Sequence, residues 1–177
     1  MQENVDVLEV NRNPHLPPHL AGASGWLPKD RDKAKEDTPE ESCLAFGYLR
    51  GLHDRALAIE LRLRNGNRDY FSYSHLASWR YNPSVGLLLK FTDDLVTLVL
   101  VRGSNLDALV KQSVNLTDRG LQRHRILWLR EMDETELRRA GKGEPTIDRI
   151  EVVEFQSNEE LQEWLEKAVP AFVRKAR

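Results

Sequence analysis

Apolar and polar residues alternate with a period of two in the middle of the chain. Within residues 55–64, Leu57, Ile59, Leu61 and Leu63 lie on one side, and Glu60, Arg62 and Arg64 lie on the other. Strict alternation of this kind predicts a half-buried β-strand. Asn65-Gly66 follows and favours a type I′ turn, whose two central residues both need positive φ. The pattern therefore predicts a β-hairpin that returns through residues 68–76.

Short apolar runs continue on both sides of this hairpin. They recur about every eight to twelve residues with turn signals between them, a spacing typical of antiparallel sheets that curl into a barrel or a sandwich. The runs are 43–51, 77–83, 85–91, 95–101 and 124–131. Their number and turn placement resemble those of small barrels of SH3-like or Sm-like type. We therefore expect a mainly β (α+β) fold, with a small antiparallel barrel over residues 44–130.

Helical signals lie in and after the last part of this region. Ser104 and Asp107 have the spacing of a capping box, which predicts a short helix over 104–112. Capping signals also predict helices that begin after Asp133 and Ser157. Between those two, residues 146–155 read as a strand. We therefore expect residues 131–177 to form a helix-strand-helix extension packed on the barrel.

The first part of the chain has a different composition. Residues 11–42 hold five of the eight prolines and a run of mixed charges with almost no apolar residues. Such a segment buries too little apolar surface to offset the entropy of ordering it. The sequence therefore predicts a disordered or loosely ordered arm over residues 1–42.

The net charge of −2 conceals an uneven distribution. Residues 1–43 carry 5 basic and 9 acidic side chains, residues 44–130 carry 13 and 7, and residues 131–177 carry 8 and 12. A basic middle between acidic flanks is compatible with an anion-binding surface, or with flanks that neutralise the middle. No apolar run approaches the roughly eighteen residues of a membrane span. A single cysteine, Cys43, fits a reducing bacterial cytoplasm.

Signatures of catalysis, cofactors and metals are missing from the sequence. It contains no phosphate-binding glycine motif and no nucleophile elbow. His15 and His19 flank two prolines, which prevent the helix that would bring both imidazoles to one metal ion. The expectation is a protein with no catalytic residues, cofactor or metal. A hydrolytic site that pairs His53, His75 or His124 with a carboxylate is the third functional alternative.

Aromatic and basic residues around the hairpin are the strongest functional signal. Parity along the strands predicts an inward stripe of rings: Phe71, Tyr73, Trp79 and Tyr81. The opposite parity leaves a solvent-side patch of Arg62, Arg64, Arg68, Tyr70 and Arg80. A second basic cluster surrounds His124, where Arg123 and Arg125 are expected to face one side of a strand and form an anion clamp.

These features predict a non-enzymatic small β-barrel module that binds a protein partner or a nucleic-acid backbone. Arginines that contact phosphates, with one exposed ring for stacking, would give weak and salt-sensitive nucleic-acid binding. The alternative is a structural protein that forms homo-oligomers through a barrel edge or the C-terminal helix. No membrane contact is expected.

Overall fold

Nine β-strands form two separate sheets in a computed structural model, which describes residues 40–51 and 53–173. Strands account for 43% of the structure and helices are few, which confirms the mainly β prediction. The strands are β1 (Glu40–Ser42), β2 (Phe46–Leu49), β3 (Ala58–Arg62), β4 (Arg68–Ser72), β5 (Leu76–Asn82), β6 (Gly86–Thr92), β7 (Val96–Ser104), β8 (Ile126–Arg130) and β9 (Thr146–Phe155). The helices are α1 (Glu134–Arg139) and α2 (Asn158–Ala168).

The first sheet has the strand order β1-β2-β8-β3-β4. Its pairs are antiparallel except for β3 and β8, which run parallel. The predicted hairpin is present as β3 and β4, with Glu60 opposite Tyr70 and Arg62 opposite Arg68. Gly66 has a φ of 88°, as its position in the turn requires. The hairpin prediction is therefore confirmed.

The second sheet has the order β5-β6-β7-β9, and all of its pairs are antiparallel. Its fourth strand, β9, comes from the predicted C-terminal segment and pairs with nearly the whole of β7. On the other side of this sheet, Leu88, Leu98 and Leu100 form a second apolar cluster with Leu161 of α2 and Phe172. The α2 helix is therefore the outer layer on the second sheet.

Neither sheet closes on itself within the described residues, so the expected barrel is not found. Two features of the chain explain the difference. A 3-10 turn, Tyr73–His75, follows β4, and Ser72 caps it by accepting a hydrogen bond from the Ser74 amide. The next strand, β5, then joins the other sheet instead of pairing with β4. In addition, β8 inserts between β2 and β3, a pairing between distant strands that local patterns do not reveal.

The main core contains side chains from both sheets, including Phe46, Ile59, Leu61, Leu89 and Val99. The predicted inward ring stripe is confirmed: Tyr73 is a core residue, and three other rings pack against the same core, namely Phe71, Trp79 and Tyr81. Leu57 departs from its predicted inward position and is 87% exposed, because it lies just before β3 and outside the alternation of the strand.

The predicted helix over 104–112 does not form. Strand β7 extends to Ser104, which pairs with Thr146. Asn105, Lys111 and Gln112 have positive φ angles of 54°, 48° and 56°, which a right-handed helix does not allow. Irregular turns take its place. The helices predicted after Asp133 and Ser157 are present, and each cap accepts a hydrogen bond from the amide three residues ahead.

A π-helical turn, Leu116–Leu121, leads into a buried arginine. Arg125 is 2% exposed, and its guanidinium donates to the carbonyls of Leu49 at 2.8 Å and Arg50 at 2.7 Å. The Arg125 amide donates to Gly120 and its carbonyl accepts from Leu49. Desolvation lowers the pKa of Arg125 below its ordinary value. Arg125 therefore connects the π-helical turn, through its amide, to the end of β2, through its guanidinium.

The predicted arm lies outside the described residues, apart from the three residues of β1. His15 and His19, which are not expected to bind a metal ion, lie there too. Within the described part of the chain, no helix has the length and apolar content needed to cross a membrane.

Replacing Arg125 should destabilise the fold. The substitution Arg125→Met removes two charge-assisted hydrogen bonds and leaves two carbonyls without that donor, so we expect a loss of about 3 kcal/mol in the free energy of unfolding. Urea titration followed by circular dichroism measures the loss. The matched control is Arg123→Met, two residues away and exposed, which should change stability by less than about 0.5 kcal/mol. Equal effects of the two substitutions would contradict a structural role for Arg125.

Candidate functional site

The strand registers bring one set of polar and aromatic side chains to the outer face of the first sheet. Opposing residues in neighbouring strands project to the same face of a sheet. The pairings of Glu60 with Tyr70 and Trp128, and of Arg62 with Arg68 and Arg130, therefore define one surface. We call it the basic-aromatic face; its members are Glu60, Arg62, Arg68, Tyr70, Trp128 and Arg130. Ile59 and Leu61 point the opposite way, into the core.

Glu60 is the centre of this face. Its carboxylate accepts hydrogen bonds from Arg62 Nη2 at 2.7 Å, Arg68 Nη1 at 2.7 Å and the Tyr70 hydroxyl at 3.2 Å. Only 11% of the Glu60 side chain is exposed. The hydrogen bond from Arg62 lowers the pKa of Glu60 below its ordinary value, against the opposing effect of burial. Glu60 is therefore an ionised carboxylate that orients two guanidinium groups and a phenol.

Trp128 extends the face toward β2. The Arg62 guanidinium carbon lies 4.3 Å from the centroid of the Trp128 ring, a cation–π contact. A Cβ at position 47 would lie 2.2 Å from Trp128 Nε1, so only Gly47 leaves room for the indole above β2. Arg62 Nε is buried and has no hydrogen-bond partner among the described residues. The position of Arg62 thus depends on Glu60 and on Trp128.

Four arginines line a groove of about 460 Å³ beside the hairpin turn: Arg62, Arg64, Arg68 and Arg130. The same groove is lined by three carboxylates, namely Glu131, Asp133 and Glu136. Arg130 pairs with Glu136 at 2.7 Å. The Arg64 guanidinium donates to the Met132 carbonyl and its amide donates to Glu131, each at 2.6 Å. The arginines that line the groove are therefore held by fixed contacts, and the three carboxylates offset most of their positive charge.

The structure thus brings together three of the predicted arginines, Arg62, Arg64 and Arg68, and places Tyr70 beside them. Tyr70 is 65% exposed. Glu60, Trp128 and Arg130 were not among the predicted site residues. Alternation had placed Glu60 on the polar side of β3, but the contribution of β8 depends on its parallel pairing with β3.

Three other predicted site residues lie elsewhere. Arg80 is on β5 in the second sheet, where its guanidinium donates to the Phe172 carbonyl. Arg123 is exposed in the loop before β8. Arg125 is buried in the contacts described above, because the positive φ of 52° at His124 turns the chain before the strand begins. The expected anion clamp of Arg123 and Arg125 is therefore not formed.

The three central histidines do not converge. His124 stacks on Tyr73 with ring centroids 4.4 Å apart, and His53 is exposed in a loop. His75 Nδ1 lies 3.4 Å from Asp93 Oδ2, an exposed pair. Ser72 lines a cleft of about 310 Å³ with His75 and Asp93, but its hydroxyl contacts Ser74 and the Leu57 carbonyl. Among the described residues, no group of three potential metal ligands is present.

A second exposed feature lies beside the segment that joins β1 to β2. Leu44 and Leu109 are 40% and 50% exposed and line a groove of about 590 Å³ with Cys43. Burial raises the pKa of the Cys43 thiol above its ordinary value. This thiol is therefore poorly suited to act as a nucleophile.

Comparisons of the chain with protein-family models, curated proteins and solved structures found no match.

The low pKa of Glu60 makes a prediction about acid stability. The pKa of Glu60 in the folded state is below the ordinary value of 4.5. Between pH 4.5 and the folded-state pKa, the unfolded state therefore binds more protons than the folded state. The stabilisation by Glu60 is therefore complete above that window and decreases within it. Glu60→Gln should destabilise the protein at pH 7 and show a smaller further loss on acidification than the wild type.

Urea titrations at neutral pH and at a pH inside that window measure both effects. Glu134→Gln removes a carboxylate from an exposed pair on α1 and is the control for loss of one charge. A Glu60→Gln variant with the stability and acid response of the wild type would contradict the proposed role of this carboxylate.

Proposed function

We propose that this chain is a non-enzymatic binding module that docks a protein partner on its basic-aromatic face. The observation that supports the proposal is Tyr70, which is 65% exposed and lies on the same face as Trp128, beside arginines that Glu60 holds in place. Tyrosine, tryptophan and arginine are the residue types most enriched among the hot spots of protein interfaces. A face that combines all three is suited to a protein partner.

Order within the face supports the same proposal. Side chains that become immobilised on binding cost about 0.5–1.5 kcal/mol each. Arg62 is held by Glu60 and by the Trp128 ring, and Arg68 and Tyr70 by Glu60. These side chains are already restrained in the free protein, so a partner that contacts them as they stand meets a smaller entropic cost.

A nucleic-acid backbone, the other predicted partner, has weaker support. Binding to phosphates depends on cations that are free to replace counterions. The arginines of the face and groove contact carboxylates or carbonyls, as the pairs of Arg68 with Glu60 and of Arg130 with Glu136 illustrate. Tyr70 is the one strongly exposed ring among the described residues of the face, and base stacking uses successive rings.

Kinship with SH3-like or Sm-like barrels and a cytoplasmic location remain proposals. The tight turn at Asn65-Gly66 supports the first, and the single cysteine supports the second.

Fluorescence anisotropy with labelled single-stranded DNA and RNA, and with a DNA duplex, decides between the two partner classes. We expect no saturable binding in about 50 mM salt, the condition that favours electrostatic contacts. Saturable binding that falls steeply toward about 200 mM salt, and is lost in the double variant Arg62→Glu/Arg64→Glu, would replace the protein partner with a nucleic acid.

A protein partner should depend on the exposed ring of the face. We expect Tyr70→Ala to weaken binding of the partner by at least about tenfold, the effect of losing about 1.4 kcal/mol at an interface hot spot. The partner is identified by photo-crosslinking from position 70, and its affinity is then measured calorimetrically with purified proteins. Arg123→Ala, an exposed substitution away from the face, is the control and should bind normally. Equal affinities for Tyr70→Ala and the wild type would contradict the proposed site.

A further inference from the structure

The cleft that His75 and Asp93 line lies where the two sheets meet. It has a volume of about 310 Å³, at the lower end of the range for small-molecule sites. Phe71 of the first sheet stacks on Phe91 of the second, with ring centroids 4.6 Å apart, and both residues line the cleft. Leu95, which is 42% exposed, adds to the apolar lining. One part of the cleft is therefore suited to an apolar group.

Thr97 of β7 contributes a buried hydroxyl to this cleft. The residue is 9% exposed, and it pairs with Phe91 and Glu154 across the second sheet, so the three side chains project to the same face. Val99 and Val101 follow on that face and belong to the main core. The Thr97 hydroxyl has no hydrogen bond to another residue among those that the structure describes. Because burial of a hydroxyl is costly unless it is hydrogen-bonded, Thr97 requires a partner from within the cleft.

Three carboxylates line the same cleft, those of Asp93, Asp94 and Glu154. Asp93 Oδ2 lies 3.4 Å from His75 Nδ1. Within residues 40–51 and 53–173, the Asp94 and Glu154 carboxylates have no hydrogen bond or ion pair, and both residues are exposed. Carboxylates without a cationic partner attract positively charged ligands. We call this space the acidic cleft.

The lining of the acidic cleft suits a primary ammonium group on an apolar stem. An ammonium group has three N–H donors and no acceptor. The Asp94 and Glu154 carboxylates and the Thr97 hydroxyl provide acceptors, and Phe71 and Phe91 provide apolar contact for the stem. A magnesium ion usually retains several waters and has no stem to bury, so it would leave the apolar part of the cleft unused.

We propose that the acidic cleft binds a primary ammonium group carried on an apolar stem. The ammonium group donates hydrogen bonds to the Asp94 and Glu154 carboxylates and to the Thr97 hydroxyl, which gives each of these groups the partner it lacks. The stem lies along the apolar lining. This site goes beyond the docking of a protein on the basic-aromatic face, with which it shares Tyr70.

Nuclear magnetic resonance of the full chain, labelled with nitrogen-15, tests the proposal. Titration with n-hexylammonium at low ionic strength, where screening is weak, should shift the amide signals of residues 93–97 saturably, with a dissociation constant of about 1 mM or less. The neutral analogue 1-hexanol has the same stem and should bind at least about tenfold more weakly. No saturable shift with n-hexylammonium, or an equal response to 1-hexanol or to magnesium chloride, would overturn the proposal.

Two conservative substitutions locate the ammonium group. Thr97→Val keeps the branched shape of the side chain and removes the hydroxyl, and Asp94→Asn removes one charge. Each should weaken binding of n-hexylammonium about tenfold, the effect of losing one hydrogen bond to a charged group, without lowering stability in urea. Glu166→Gln removes an exposed carboxylate from α2 and should bind as the wild type does. Wild-type affinity in both cleft variants would contradict the assigned contacts.

A second probe, Nα-acetyl-lysine methylamide, distinguishes the two sources of such a group. Saturable binding of this probe assigns the site to lysine side chains, and binding of n-hexylammonium alone assigns it to free amines. Either result supports an ammonium site. The site and the proposed function can fail separately, because the titrations contain no protein partner, and Thr97→Val and Asp94→Asn alter no side chain of the basic-aromatic face. A chain that docks a protein on that face but does not bind n-hexylammonium would overturn only the ammonium site.

Discussion

The carboxylate of Glu60 is the constraint on which the outer face of the first sheet depends. An ionised group with 11% of its side chain exposed is costly unless donors replace the lost water. Arg62, Arg68 and Tyr70 supply those donors from adjacent positions on β3 and β4. The strand register places these three donors around Glu60. The same carboxylate therefore determines where two guanidinium groups and an exposed phenol lie. The surface available to a partner follows from this requirement.

Arginines have two different roles in this protein, and burial separates them. Arg125 is 2% exposed, and its guanidinium donates hydrogen bonds to the carbonyls at the end of β2. Arg68 has a side chain that is 57% exposed and is ordered by Glu60. The first contributes to the stability of the fold and cannot contact a ligand. The second remains accessible, and its contact with Glu60 makes it a suitable element of a protein interface but a weak contact for phosphate.

Local patterns were sufficient for the hairpin, the inward rings and the two helix caps, because each depends on residues a few positions apart. Alternation separates Phe71 from Tyr70, and the turn at Gly66 sets the register. Three predictions failed for non-local reasons. β8 pairs in parallel with β3, which brings Trp128 to the site and opens the expected barrel into two sheets. The helix expected over 104–112 does not form because Ser104 pairs with Thr146. The expected anion clamp does not form because Arg125 is buried against a carbonyl of β2.

The most direct test of the central claim measures how rigid the arginines are. Nitrogen-15 relaxation at the arginine Nε positions should give Arg62 and Arg68 order parameters near the backbone value of about 0.85, and exposed Arg123 a value below about 0.6. In Glu60→Gln, Arg62 and Arg68 should become substantially more mobile while Arg123 is unchanged. If Arg62 and Arg68 are as mobile as Arg123 in the wild type, Glu60 does not organise this face.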